Sequence, residues 1–427
     1  MTHVVTVFLQ HGAEILLLQR SEAVGTYRRR WAGVSGYVEP ETDDPREDAE
    51  RELREEVGTV DAALRRAGDP LHVIDDENDR EWTVHPFRYD TPDRAVNPNE
   101  EVANWEWVSP AAILDRPCVP RLWATYRRVG PTVADVAGDE QRGSAAISAN
   151  ALAVLRDAAA EAAHADDLEA PAWPSREAVR DLARRLRDAR PEMAVIANRV
   201  NRVMATSDCL DDLADRAHET LLAAQNADQA AASEAAALLG EESAGTPTVV
   251  TLSRSGTALA AIREAGAAVI VGESRTACEG IDVAEELAAA GQSVTLTTDA
   301  ALASVVSGDV GPTPDAAVVG ADAILPDGDV VNKVGTRPLG LACKRAALPL
   351  YVVAARDKIA TEEREGNVER EPEALYDGDS AVAVENPVFD RTPADCVSGV
   401  VTEDGALDDA ELTAAVRTHR EHAAGDQ

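Results

Sequence analysis

The chain has 427 residues, 45% of them hydrophobic, which is enough material for two or three cores at about 100 to 200 residues per domain. Its 41 basic residues against 77 acidic ones leave a net charge of −36, and lysine occurs only at Lys333, Lys344 and Lys358. So acidic a balance argues against nucleic acid and anionic membrane surfaces as partners and reads as adaptation to high salt, where screening removes most of the self-repulsion.

The opening stretch Val4–Leu9 alternates like a strand and carries no basic leader, and no apolar run is long enough to span a bilayer. Cys118, Cys209, Cys278, Cys343 and Cys396 are scattered, without the short spacings of a zinc site or a disulfide framework. Both features point to a cytoplasmic chain.

Residues 4–9, 14–19, 81–88 and 105–108 read as strands around one strongly periodic helix over 45–57. That helix carries its own punctuation: Asp44 as N-cap, Pro45 at the first helical position, Glu47 three residues after the cap, and Gly58 past the end. At about 100° per residue, Glu55 and Glu56 flank Glu52 within an arc of about 100°, while Ala49, Leu53 and Val57 form the neighbouring core stripe. Three carboxylates on one arc repel one another, and a hard divalent cation with oxygen ligands relieves that repulsion and grips a diphosphate. A solvated acidic helix face is the competing reading in so acidic a chain.

The flanking residues decide between them. Trp31-Ala32-Gly33-Val34-Ser35-Gly36-Tyr37-Val38-Glu39-Pro40, followed by Arg51-Glu52-Leu53-Arg54-Glu55-Glu56-Val57-Gly58, resembles the Nudix box and its approach strand. Leu16-Leu17-Leu18-Gln19-Arg20, Asn99-Glu100-Glu101 and Trp105-Glu106-Trp107-Val108 support the match, which covers roughly residues 3 to 128. It departs from the pattern at Tyr37, where the second glycine usually stands, and at Asp43, which takes the first glutamate's place one residue late.

The resemblance implies a pyrophosphohydrolase of nucleoside diphosphate derivatives using Mg²⁺ or Mn²⁺. It also implies Glu52 and Glu56 as principal metal ligands, with Glu55 and the Gly36 carbonyl as further ones and Arg51 orienting a glutamate. Glu52, Glu100 or Glu101 would accept the proton from the attacking water.

From Ser144 to about Gly240 the pattern is almost entirely helical, with breaks at Pro171–Pro174 and Pro191 and an apolar stripe at Val179, Leu182 and Leu186. After Gly245 short apolar strands over 248–252, 268–271, 294–297, 316–319 and 350–353 alternate with helices, the signature of a doubly wound parallel sheet. The predicted fold class is α/β: a mixed-sheet α/β/α sandwich over 1–130, a helical subdomain over 131–245, and a Rossmann-like domain over 246–427.

In such a sheet the ligand crevice lies beyond the carboxyl ends of the strands. Polar residues crowd there: Ser253-Arg254-Ser255, Glu273-Ser274-Arg275, Thr298-Asp299, Gly320-Ala321-Asp322 and Asn332-Lys333-Val334-Gly335-Thr336. Arg142-Gly143-Ser144 opens the long helix as an anion site. Singly each is a turn or a cap; together they converge on a phosphorylated small molecule or nucleotide. With Asn386–Pro393 they resemble the translation initiation factor 2B alpha/beta/delta family, which includes ribose-1,5-bisphosphate and methylthioribose-1-phosphate isomerases. The resemblance covers about Thr132 to the C-terminus and implies a homo-oligomer formed through this domain.

The isomerases of that family use a cysteine in a Thr-His-Cys-Asn-Ser-like stretch together with the aspartate of Gly-Ala-Asp. Here Asp322 is kept but Ser253 stands at the cysteine position, and a hydroxyl is far less acidic than a thiol. The expectation is therefore a hydrolase joined to a phosphate-ligand-binding module. Its alternatives are a translation-factor-like regulatory protein with a non-catalytic Nudix unit, and a sugar-phosphate isomerase acting through Asp322.

Overall fold

The structure is a computed structural model that describes residues 2–39, 44–58, 61–75, 78–139, 142–242, 245–362 and 369–425. Packing divides the chain into two units: Met1–Thr132 with Ala153–Asp181 and Asp208–His218, and Val133–Leu152 with Leu182–Ser207 and Glu219–Gln427.

The first unit is built on an eight-stranded mixed sheet. Its strands are β1 (Thr2–His11), β2 (Glu14–Arg20), β3 (Trp31–Ala32), β4 (Val34–Tyr37), β5 (Ala63–Ala67), β6 (Leu71–Asp75), β7 (Arg80–Asp90) and β8 (Val102–Val108). The central pair β1 and β7 is parallel, whereas β4 runs antiparallel to β1 with Val5 opposite Gly36 and Thr6 opposite Ser35. Helix α1 (Pro45–Val57) covers one face, burying Ala49, Leu53 and Val57 against Val5, Val7 and Leu9. Helix α2 (Leu122–Arg127) covers the other, where Trp123 and Tyr126 meet Phe8, Ile15 and Leu17. Successive β1 side chains thus enter opposite cores, as the period of two requires. The predicted caps of α1 are in place: an Asp44 carboxylate oxygen accepts the Arg46 N–H at 2.9 Å, and Gly58 leaves the helix at φ +84°.

The helical stretch comprises α3 (Val133–Ala137), α4 (Ser144–Ala163), α5 (Arg176–Ala189), α6 (Ala194–Thr206) and α7 (Leu210–Glu242). Val179, Leu182 and Leu186 are fully buried, so the predicted stripe is core. A break at 207–209, unmarked by proline or glycine, escaped the sequence reading. There Asp208 donates its N–H to the Asp212 carboxylate in the first turn of α7, an Asp-based start signal.

The second unit carries a seven-stranded sheet in the order β11 (Val294–Thr297), β10 (Ala268–Gly272), β9 (Thr248–Thr251), β12 (Ala316–Val319), β15 (Leu350–Val353), β17 (Gly399–Thr402) and β18 (Gly405–Ala406). All neighbours up to β17 are parallel, and only β18 turns back. Helices α7, α8 (Gly256–Glu264) and α9 (Glu279–Ala289) pack on one face. Helices α10 (Leu302–Val306), α11 (Thr336–Ala346) and α12 (Asp409–Gly425) pack on the other, giving the doubly wound Rossmann-like arrangement. The strand order reverses between β9 and β12, so the crevice opens where Ser253-Arg254 and Gly320-Ala321-Asp322 leave the sheet.

One placement corrects the sequence reading. Asn332 and Lys333 do not follow a strand of the large sheet; they lie in β14 (Val330–Lys333), the centre of a small antiparallel sheet with β13 (Ala323–Ile324) and β16 (Phe389–Thr392). Two-residue and four-residue strands interrupted by polar side chains have too short a period to read from sequence.

Within the first unit, Arg156 and Asp157 are buried as a pair: Asp157 Oδ1 accepts Arg156 Nε at 2.9 Å, and Oδ2 accepts the Tyr126 hydroxyl at 3.0 Å. Arg156 also donates to the Ala13 carbonyl at 3.0 Å. Removing one partner of such a pair leaves an uncompensated buried charge, so Asp157→Ala lowers stability by about 3–5 kcal/mol. The measurement is the urea midpoint by tryptophan fluorescence, Trp123 lying in the core beside Tyr126.

Candidate functional site

In the first unit, β4 lies so close to α1 that a side chain at Gly36 has no room. A Cβ built on Gly36 would fall 1.8 Å from Glu52 Oε1. One turn further along, Glu56 Oε2 accepts the backbone N–H of Ser35 at 3.2 Å. Gly36, Glu52 and Glu56 are thereby brought together, with both carboxylates buried.

Glu55 is not among them. Its side chain is 58% exposed and is held by Arg51 Nη1 at 3.1 Å. The same guanidinium reaches Glu52 Oε1 at 2.8 Å, Asp48 Oδ1 at 3.0 Å and the Tyr37 carbonyl at 3.1 Å. Arg51 therefore ties the helix to the end of β4 and orients two glutamates at once. Among the described residues no three His, Cys, Asp or Glu side chains stand in metal-holding geometry; Asp43 lies outside them.

Burial dominates the electrostatics of this pair. Burial pushes the Glu56 carboxyl up to about 8 against the pull of the Ser35 N–H, with Glu52 and Glu101 adding to the rise and Arg20 opposing it. Glu52 is raised too, by burial first, against Arg51 and with Glu55 and Glu101.

Beside Gly36 opens a cleft whose walls include Tyr27, Tyr37 and Trp82, with Val4, Val84 and Leu122 among its apolar lining and Arg20 at its edge. The sequence reading used Arg20 only as a supporting match and Tyr37 only as a departure, and so missed the cleft.

In the second unit a cleft of about 400 Å³ forms at the switch point, lined by Arg142, Gly143, Ser144, Arg254, Asp322 and Lys333. These six predicted residues are brought together from the start of α4 and the ends of β9, β12 and β14. Asp322 is half-buried; burial raises its carboxyl, opposed by the Lys358 ammonium and a hydrogen bond from Ser144. Arg190, Glu192 and Glu279 also line the cleft and were not anticipated. An acidic residue in the first turn of a helix following a strand end is the signal that would have found Glu279.

Four predicted residues are not in that lining. Ser253 stands one residue back from it, in the left-handed region at φ +64°, and its hydroxyl donates to Glu279 Oε1 at 2.8 Å. Lys333 Nζ meets the same carboxylate at 2.9 Å. Glu273 is half-buried and Arg275 exposed on the loop after β10. Asp299 accepts the N–H groups of Ser274 and Arg275 at 2.8 and 2.7 Å, so Thr298-Asp299 staples this loop. Asn332 donates to the Thr336 hydroxyl at 3.0 Å, and Asp390 accepts the N–H groups of Gly335 and Arg337, a cap on α11.

Comparison with known proteins assigns the two sites to different families. Residues 2–129 match the NUDIX domain and residues 140–409 the initiation factor 2 subunit family. The chain belongs to the initiation factor 2 subunit family and carries a Nudix domain ahead of the family region.

The putative translation initiation factor eIF-2B subunit 2-like of Pyrococcus horikoshii is 34% identical over 236 residues, 54% of this chain and 81% of that protein. The methylthioribose-1-phosphate isomerase of Rhodopirellula baltica is 37% identical over 35% of this chain and 45% of its own length. The ribose 1,5-bisphosphate isomerase of Archaeoglobus fulgidus is 35% identical over 38% of this chain and 53% of its own. The chain thus spans about half the length of these two isomerases.

Among solved structures, the Pyrococcus horikoshii translation initiation factor eIF-2B superimposes with a TM-score of 0.55 at 29% identity, covering 64% of this chain and 94% of that one. The 5-methylthioribose 1-phosphate isomerase of the same organism gives 0.52 at 22% identity over 75% and 90%, a likeness of fold alone.

The contact at Gly36 makes a direct prediction. In Gly36→Ala the new methyl displaces the Glu52 carboxylate or parts β4 from α1, an overpacking cost of about 1–3 kcal/mol. The thermal midpoint falls, and the added Glu52→Ala substitution recovers most of the loss.

Proposed function

We propose that the first unit hydrolyses the diphosphate linkage of a nucleoside diphosphate derivative with Mg²⁺ or Mn²⁺, through Glu52, Glu56 and the backbone at Gly36. The observation that carries this is the buried carboxylate pair closed over Gly36, raised in pKa and short of positive charge. Hard oxygen donors in a negative field fit a hard divalent cation. When bound, such an ion neutralises the diphosphate and lowers the pKa of a coordinated water.

The chain's own part is positional. Arg51 holds Glu52 and keeps Glu55 at the rim as a further ligand, available by rotation from its exposed position. Glu101, whose charge is felt at both Glu52 and Glu56, is the stronger of the two downstream candidates for proton acceptor. With Mg²⁺ the protein releases a nucleoside monophosphate from at least one member of a panel containing ADP-ribose, NADH and nucleoside triphosphates. Glu56→Gln reduces that rate at least about 100-fold, and EDTA abolishes it. No cleavage in the wild type, with ligand binding unchanged in Glu56→Gln, marks instead a regulatory, translation-factor-like protein, a reading to which the outward turn of Glu55 lends support.

The second unit's cleft binds a sugar phosphate or a nucleotide in this proposal. Arg142 and Ser144 at the start of α4, with Arg254 and Lys333, supply the anion-binding groups, and Asp322 meets the sugar. Each of those three cations is already ion-paired: Arg142 with Asp139, Arg254 with Glu286, Lys333 with Glu279. Binding is therefore an exchange of carboxylates for phosphates. Calorimetry with ribose 1,5-bisphosphate gives a heat that Lys333→Ala weakens about tenfold or more. No ketose forms, because Ser253 is not an acid of thiol strength; a ketose product would restore the isomerase reading. Self-association through this unit belongs to the same proposal.

A further inference from the structure

Among the described residues, the cations lining the cleft of the second unit are Arg142, Arg190, Arg254, Lys333 and Arg370. The first four have carboxylate partners: Arg142 with Asp139, Arg190 with Glu192, Arg254 with Glu286 and Lys333 with Glu279. Arg370 differs from them. Its backbone N–H is engaged, but among the described residues no acceptor holds its guanidinium. That group carries five donors in a planar fork, and half-buried at a cleft wall it is satisfied only by water or by an incoming anion.

Local sequence fixes where Arg370 stands. Glu371 precedes Pro372 and Asn386 precedes Pro387, and a residue before proline is driven to extended backbone. Glu371 accordingly has φ −51° and ψ 131°. The two extended pieces pair antiparallel, with Glu369 opposite Pro387 and the Arg370 N–H donated to the Asn386 carbonyl at 2.9 Å. Alternation along such a piece sends neighbouring side chains to opposite sides, and Arg370 is half-buried between exposed Glu369 and exposed Glu371. The buried Asn386 side chain clasps this pair to the site. Its Nδ2 donates to the Glu371 carbonyl at 3.1 Å, and its Oδ1 accepts the Thr276 hydroxyl at 3.0 Å. Thr276 continues the loop that Asp299 staples, and Glu279 of the cleft follows three residues on.

We infer that Arg370 is a ligand-binding residue of this cleft, making the phosphate contact that breaks no internal ion pair, and that Asn386 is its positioning residue. The inference rests on the phosphate-ligand reading of the cleft. A paired cation trades a carboxylate for a phosphate, so its gain is the difference between two charge-assisted hydrogen bonds. Arg370 trades only water, and its gain is not offset by a carboxylate released. Removing Arg370 likewise strands no carboxylate, whereas removing Lys333 leaves Glu279 without its ammonium.

Calorimetric titration of the full chain with ribose 1,5-bisphosphate and with AMP tests this, beside the thermal midpoint of the free protein. Arg370→Ala weakens whichever probe binds about tenfold or more and leaves the midpoint of the free protein unchanged. Arg370→Lys, which keeps the charge, holds the affinity within about threefold of wild type. Asn386→Ala also weakens binding but adds nothing on top of Arg370→Ala, the non-additivity of a residue that acts through another. Losses that add in full remove the positioning role.

Binding that Lys333→Ala weakens and Arg370→Ala leaves untouched overturns the inference and keeps the phosphate-ligand reading of the cleft. No heat from either probe with the wild type removes that reading and the inference with it.

Discussion

The first unit depends on one steric fact: β4 and α1 approach until the Glu52 carboxylate occupies the space that any side chain at position 36 would fill. That approach is driven from the far side of the helix, where Ala49, Leu53 and Val57 enter the same core as Val5, Val7 and Leu9. Hydrophobic burial is non-directional, yet here it presses an acidic helix edge onto a strand end and removes two carboxylates from water. The electrostatic consequence, carboxyl groups raised chiefly by burial and only partly offset by Arg51 at Glu52 and Arg20 at Glu56, follows from that packing. The enclosure of the two carboxylates is built by apolar residues on the other side of the helix.

The second unit reaches a comparable result by topology. Reversal of strand order between β9 and β12 leaves a crevice that no crossover helix can cover. The loops at its rim are held by local devices: the Asp299 staple on Ser274 and Arg275, and the Asp390 cap on Gly335 and Arg337. Fixed in this way, the rim presents Glu279 to both Ser253 and Lys333. At the position where related isomerases carry a cysteine, this chain has a hydroxyl engaged with a carboxylate that is itself engaged with an ammonium.

Much of this was legible in the residues. Helix α1 has the predicted bounds because its caps are local chemistry, Asp44 and Gly58 acting within four residues of the chain. Four of the five strands predicted in the second unit were found because parallel strands buried on both faces are continuous apolar runs, and the edge strand β11 because Val294, Thr295 and Thr297 are β-branched. The small sheet of β13, β14 and β16 was missed for the converse reason: its strands are short, carry polar side chains, and are recognisable only by their pairing. The break after α6 was missed because Ser207-Asp208-Cys209 lacks the proline or glycine that usually announces one.

What the sequence by itself determined is which chemistry is present: a helix bearing Glu52, Glu55 and Glu56 after a glycine-bearing strand, and polar residues waiting at the ends of parallel strands. Only the tertiary structure decided which of them meet. Helical spacing places three glutamates on one arc, but a strand packs against only part of that arc, so Glu52 and Glu56 are enclosed and Glu55 is left to Arg51. Tyr37 and Trp82 lie 45 positions apart in the chain and share a cleft only because β4 and β7 both pair with β1. Local propensity is written in neighbouring residues; convergence is a property of strand pairing and packing.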